Sequence, residues 1–139
     1  MRGTEGNASA RAGDLIAISP SGLEYETLRP EHVCLVTAEG ELVEGPAPSV
    51  ELPMHLAVFA ARPDVGAIVH THSPRATARP PVPVAVGASG TPGLGRAVVE
   101  AAADGNAVVI RDHGPVCFGS DLDDAVARAF SVEASVVKV

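Results

Sequence analysis

Three histidines and one glutamate are the residues through which this chain could do chemistry. His70 and His72 flank Thr71 in an apolar run that reads as a strand, and residues i and i+2 of a strand point to the same face. Two imidazoles so placed can converge on one ion. His113 lies where another strand runs into a turn, from which a third imidazole can join them. Three histidines with an open fourth position form a catalytic zinc arrangement. Solvated or core histidines would give the same spacing, so the dyad alone leaves both readings open.

Glu51 falls in the first turn of an expected helix. A carboxylate there complements the helix dipole, or serves as a general base beside a metal. Three stretches of hydroxyls and glycines could bind an anion: Gly6-Asn7-Ala8-Ser9, Ser19-Pro20-Ser21-Gly22 and Pro48-Ser49. Each alone also reads as an ordinary turn or cap. Ser49, at a helix start, is the best single anion candidate among them. His32 reads as a surface residue, His55 as a helix-packing residue and Asp112 as a turn residue.

The elements that must position these groups follow from periodicity. Residues 1–13 are Gly-rich and polar and read as a loop. Asp14 to Ser19 reads as a strand, Pro20 to Gly22 as a turn, and Val33 to Thr37 as a strand that returns through Ala38-Glu39-Gly40 to Glu41–Glu44. Ser49 is the expected N-cap of a helix to Ala61, with Pro53 confined to its first turn. Val65 to His72 reads as a buried strand that Ser73-Pro74 ends. Between Arg75 and Gly95 only Val84–Val86 suggests a strand, because Arg79–Pro83 is too Pro-rich for a central one. Leu94 to Ala103 reads as a helix, Ala107 to Arg111 and Val116 to Phe118 as strands. Asp121 or Asp123 can cap a last helix. This order suggests a mixed sheet with helices packed on it.

At 139 residues, 46% of them apolar, the chain suits a single domain spanning 1–139. Its net charge is −7 and its basic residues form no stripe, so nucleic acid is not an expected partner. A small phosphorylated ligand remains compatible, since backbone N–H groups and hydroxyls suffice to hold it. Cys34 and Cys117 lie in apolar runs and read as buried, reduced thiols. No apolar run follows Arg2 and none is long enough to span a bilayer. The expectation is a cytoplasmic protein without a membrane partner.

Taken together, Gly6-Asn7-Ala8-Ser9, Ile18–Gly22, Pro48-Ser49-Val50-Glu51, Ala67–His72 and Asp112-His113-Gly114 resemble, in order and approximate spacing, the class II aldolase/adducin family. That family includes fuculose-phosphate and rhamnulose-phosphate aldolases, ribulose-phosphate 4-epimerase and methylthioribulose-phosphate dehydratase. The resemblance implies a three-layer α/β/α fold with a mixed, largely antiparallel central sheet flanked by helices. It also implies a homotetramer with active sites at subunit contacts. His70, His72 and His113 would then hold a divalent metal, zinc first, with manganese or cobalt also suited. Glu51 would be the catalytic acid/base, and Asn7, Ser21, Gly22 and Ser49 would hold the phosphate of a small sugar phosphate. Cleaving a carbon–carbon bond beside a ketone leaves an enediolate, whose charge a divalent metal stabilises.

Four features depart from the family pattern. Only five residues precede Gly6, where members carry a helical segment. The stretch from Ala76 to Gly95 is shorter than usual. The C-terminal tail, which in aldolases helps close the site and supplies a tyrosine, ends early, and Tyr25 does not match that position. Val50 stands where a serine usually helps bind phosphate. The expected activity is a metal-dependent aldolase-type lyase acting on a ketose phosphate. The alternatives are an epimerase or dehydratase of the same family, a non-catalytic metal-binding remnant, and metal-independent binding of a small molecule.

Overall fold

The fold, a computed structural model, describes residues 5–137. An eight-stranded sheet runs in the order β4-β3-β2-β1-β5-β8-β7-β6. Its strands are β1 (Asn7–Ala12), β2 (Leu15–Ile18), β3 (Cys34–Val36), β4 (Leu42–Glu44), β5 (Ala67–His70), β6 (Val84–Ala85), β7 (Ala107–Ile110) and β8 (Gly114–Gly119). Every neighbouring pair is antiparallel except β6 and β7. Helices α1 (Leu52–Ala61) and α3 (Pro92–Ala102) cover one face, and α2 (Pro74–Ala78) and α4 (Leu122–Val137) the other. This is the three-layer fold with a mixed, largely antiparallel sheet. No helix among the described residues is long and apolar enough to cross a membrane.

β5 explains how two layers of helix share one sheet. All four of its residues are buried, as expected of a central strand covered on both faces. Ile68 joins the larger core with Val58, Phe59, Val116 and Phe118, while Ala67 and Val69 face α4. Cys34 and Cys117 are both buried free thiols. Arg11 fastens β1 to the far end of α1, its guanidinium donating to the carbonyls of Val65 (2.7 Å), Phe59 (2.8 Å) and Arg62 (3.2 Å).

The structure corrects the sequence reading at four places. Within the stretch read as a loop over 1–13, Asn7–Ala12 is a strand paired with both β2 and β5; residues 1–4 lie outside the described part. Its core-facing residues Asn7 and Ser9 are polar, so alternation of apolar residues did not mark it. Ser49 is not the cap of α1; Glu51 is. A helix begun at Ser49 would need an N–H from Pro53 to close its first turn, and proline has none. The Ser49 carbonyl instead accepts from Leu52 N at 3.1 Å. β5 ends at His70 rather than His72, because its partner β1 begins opposite at Asn7. The unassigned stretch after His72 holds α2, where Ser73 Oγ accepts from Ala76 N and Pro74 opens the helix. For α4 it is Asp121 that caps, accepting from Asp124 N at 2.8 Å.

α1 and α3 meet through small residues. A Cβ on Gly95 would lie 2.8 Å from Ala57 Cβ and 3.3 Å from the Pro53 carbonyl oxygen. Gly95→Val should therefore push the two helices apart and lower unfolding free energy by about 1–3 kcal/mol. Urea unfolding checks this, and an unchanged midpoint would contradict the close helix contact.

Candidate metal centre

Three histidines meet where β1, β5 and β8 lie side by side. His70 closes β5, His72 follows in the connection to α2, and His113 ends the turn between β7 and β8. The ring centroids stand 5.0 Å (His70–His72), 4.7 Å (His70–His113) and 4.6 Å (His72–His113) apart. His72 lies past the strand, so same-face alternation is not what brings it in. A close backbone approach does that. A Cβ on Gly114 would sit 2.0 Å from the Thr71 carbonyl oxygen and 3.1 Å from His72 Cα. Only glycine lets the chain after His113 run against Thr71-His72. Asp112 adopts a left-handed conformation (φ 59°), which aspartate tolerates better than most residues, and this turns His113 back toward β5.

The donor set fits a metal. His70 Nδ1 donates to the Pro115 carbonyl at 2.9 Å, which leaves the Nε2 lone pair facing the other rings. His113 Nε2 lies 3.3 Å from His70 Nε2 and 3.0 Å from His72 Nε2. Metal–nitrogen bonds of about 2.0–2.1 Å in a tetrahedron place neighbouring nitrogens at a separation of roughly 3.3–3.4 Å. Burial pushes His70 down to about 3, helped by the neighbouring His113 and His72, against the opposing hydrogen bond to Pro115. Burial also lowers His72, with His113 adding to the effect and Glu5 and Glu51 opposing it. Neutral imidazole is the form that ligates a metal.

Glu51 is buried (4% exposed) at the start of α1. Its Oε1 accepts from the Ser89 hydroxyl and from Gly90 N at 3.1 Å. Its Oε2 is buried without a partner among the described residues. Ser89 and Gly90 went unremarked in the sequence, although a Ser-Gly pair just before the Thr91 cap of α3 is a turn signal.

The proposed phosphate ligands sit around the same helix start. Pro20 bridges Pro48, Ser21 N donates to the Ala47 carbonyl (3.0 Å), and Ser49 N donates to the Ser19 carbonyl (3.1 Å). The two loops therefore run side by side and bring exposed Ser21 and Gly22 near buried Ser49. Ser49 Oγ accepts from Glu51 N at 3.2 Å. Asn7 is the β-ladder partner of His70. Tyr25 ties this loop to β1 by donating to the Gly6 carbonyl. His55, read from sequence as helix packing, is fully buried and bonded to both Ser9 and Asn7. A groove of about 530 Å³ opens beside His72, between β5 and α4. None of Asn7, Ser21, Ser49, Glu51, His70 or His113 lines it.

Residues 1–80 and 77–137 match the family described as class II aldolase and adducin N-terminal domain. The chain is similar to a 5-methylthioribulose-1-phosphate/5-deoxyribulose-1-phosphate aldolase of Rhodospirillum rubrum, 36% identical over 152 residues that span 95% of this chain and 69% of that protein. It is similar to the L-ribulose-5-phosphate 4-epimerase UlaF of Salmonella paratyphi B, 31% identical over 164 residues covering 94% and 72%. The fold superposes on a solved L-fuculose 1-phosphate aldolase with a TM-score of 0.92 at 29% identity, over 97% of this chain and 74% of that one. Ninety-five per cent of 139 residues is about 132, so roughly twenty of the 152 positions aligned with the Rhodospirillum protein have no counterpart here. The family match breaks at 77–80, within the stretch that the sequence marks as short.

Two predictions follow from this geometry. Gly114→Ala should weaken metal binding by at least about 10–100-fold, as loss of a ligand's support does; chelator competition reads it, and unchanged affinity would contradict the close approach. The second concerns acid. His55 and His70 are both lowered from 6.5 to about 3, by burial first. Between those values the unfolded chain binds protons that the metal-free native state does not. Stability is then full above about 6.5 and falls as pH drops toward 3, by up to about 1.4 kcal/mol per pH unit per histidine. Urea midpoints of metal-free protein at pH 7, 6 and 5 should decline in that order, and a flat series would contradict the burial of neutral imidazoles.

Proposed function

Because the chain belongs to the class II aldolase and adducin family, we propose that it is a metal-dependent aldolase that cleaves a carbon–carbon bond of a small ketose phosphate. The observation that carries this reading is the convergence of the Nε2 atoms of His70, His72 and His113, with buried Glu51 close enough to influence His72. The three histidines would hold one divalent ion, zinc by its preference for imidazole in a three-histidine site, with manganese and cobalt as substitutes. When bound, that ion supplies Lewis-acid stabilisation of the charge that bond cleavage leaves on the ketose fragment.

The chain's own groups do the rest. Ser21, Ser49 and Asn7 would donate side-chain hydrogen bonds, and the Gly22 turn its backbone, to the phosphate beside the start of α1. Anchoring that end fixes the reacting carbon relative to the histidines. Glu51 Oε2 is free because Ser89 and Gly90 occupy Oε1. It is the oxygen that would carry the proton to and from the carbon beside the ketone. Residues 1–139 would act as one domain, in a homo-oligomer that is tetrameric by the family resemblance.

Similarity to a 4-epimerase favours a second reading, in which the same parts break and re-form the bond with inverted stereochemistry. Incubation with ketose 1-phosphates and with pentulose 5-phosphates separates the two. Release of dihydroxyacetone phosphate marks aldol cleavage, and a stereoisomer of the substrate marks epimerisation. Glu51→Gln should retain metal and lose about 10²–10⁴-fold in kcat. Full activity in that variant would remove Glu51 from the chemistry, and no turnover of either substrate class would leave a metal-binding protein without this activity.

A further inference from the structure

One buried polar chain runs from Asn7 to two residues, His55 and Ser9, that the reaction as described does not use. Ser9 and Asn7 project from β1 into the core, 3% and 5% exposed, and His55 of α1 lies between them with no exposure. Ser9 Oγ is 2.6 Å from His55 Nδ1, and His55 Nε2 is 2.5 Å from Asn7 Oδ1. Asn7 Oδ1 can only accept, so the ring proton sits on Nε2. The Ser9 hydroxyl then has to donate to Nδ1. Burial keeps the ring neutral, and both nitrogens are satisfied in this arrangement. Among the described residues Asn7 Nδ2 makes no hydrogen bond. The opposite amide orientation would set Nδ2–H against Nε2–H, and would require a tautomer switch and a turn of the Ser9 hydroxyl together.

We propose that Ser9 and His55 are positioning residues that hold the Asn7 amide by its oxygen, so that its nitrogen is offered to the substrate phosphate. The inference rests on the reading of Asn7 as a phosphate ligand. A bare asparagine presents either a donor or an acceptor and would repel an anion in half of its orientations. In the Nε2–H tautomer the chain from Ser9 through His55 supplies a donor for the amide oxygen, the arrangement that leaves Nδ2 for an anion, without placing a positive charge in the core.

The test uses zinc-loaded protein titrated with inorganic phosphate, with ¹⁵N-histidine spectra for the tautomer and metal content measured alongside. The wild-type His55 should be the Nε2–H tautomer. His55→Gln keeps a donor toward Asn7 Oδ1 and should hold phosphate within about threefold of wild type, whereas His55→Leu should weaken it about tenfold or more, with metal content unchanged in both. Should the leucine variant fail to fold, Ser9→Ala carries the test, with about threefold weaker phosphate binding expected. An Nδ1–H tautomer in wild type, or equal losses in His55→Gln and His55→Leu, would overturn the proposal. Asn7→Ala separates the two levels. If it leaves phosphate affinity unchanged, the phosphate role of Asn7 falls and the positioning role with it. If it weakens binding while His55→Leu and Ser9→Ala do not, only the positioning role falls.

Discussion

A neutral imidazole at the end of a fully buried strand is the constraint on which the site depends. Burial holds His70 neutral well below its ordinary range, and its Nδ1 proton is committed to the Pro115 carbonyl of the neighbouring strand. Its remaining lone pair therefore points to one place. β5 holds that place because β1 and β8 clamp it on both sides, with Asn7 and Val116 as its ladder partners. The turn that carries His113 precedes β8 directly, and the connection that carries His72 leaves β5 directly. Ladder register thus sets the positions of all three histidines, and Gly114 permits the final approach.

The face of the sheet under α1 is unusual in placing polar groups inside. Asn7, Ser9, Ser49, Glu51, His55 and His70 are all buried. Each would cost a few kcal/mol if left without a partner. Most are paired: Ser9 and Asn7 with His55, Ser49 with the Glu51 amide, Glu51 Oε1 with Ser89 and Gly90. The Oε2 of Glu51 is left over. A site can retain such an unsatisfied oxygen where its work is to exchange a proton.

Much of this was legible in the sequence because it is written in types that have few alternatives. A His-X-His beside Ser-Pro and an Asp-His-Gly turn mark the candidate metal ligands, and the apolar run before His70 marks the central strand. The layers followed from the alternation of helices with apolar runs, and the family blocks tied them into one fold. β1 escaped because its inward residues are Asn7 and Ser9, so hydrophobic alternation is inverted exactly where the site needs polarity. The start of α1 is set by the missing N–H of Pro53, which outweighs the capping preference of Ser49. His55 looked like packing because its partners lie 46 and 48 residues away, a distance at which no local pattern exists. Ser89 and Gly90 were invisible for the same reason, being joined to Glu51 only through the fold.

X-ray absorption at the zinc edge of the zinc-reconstituted protein tests the central claim most directly. The account predicts three imidazole nitrogens at about 2.0–2.1 Å with a remaining oxygen ligand. A shell with sulfur at about 2.3 Å, or with fewer than three imidazoles, would contradict it.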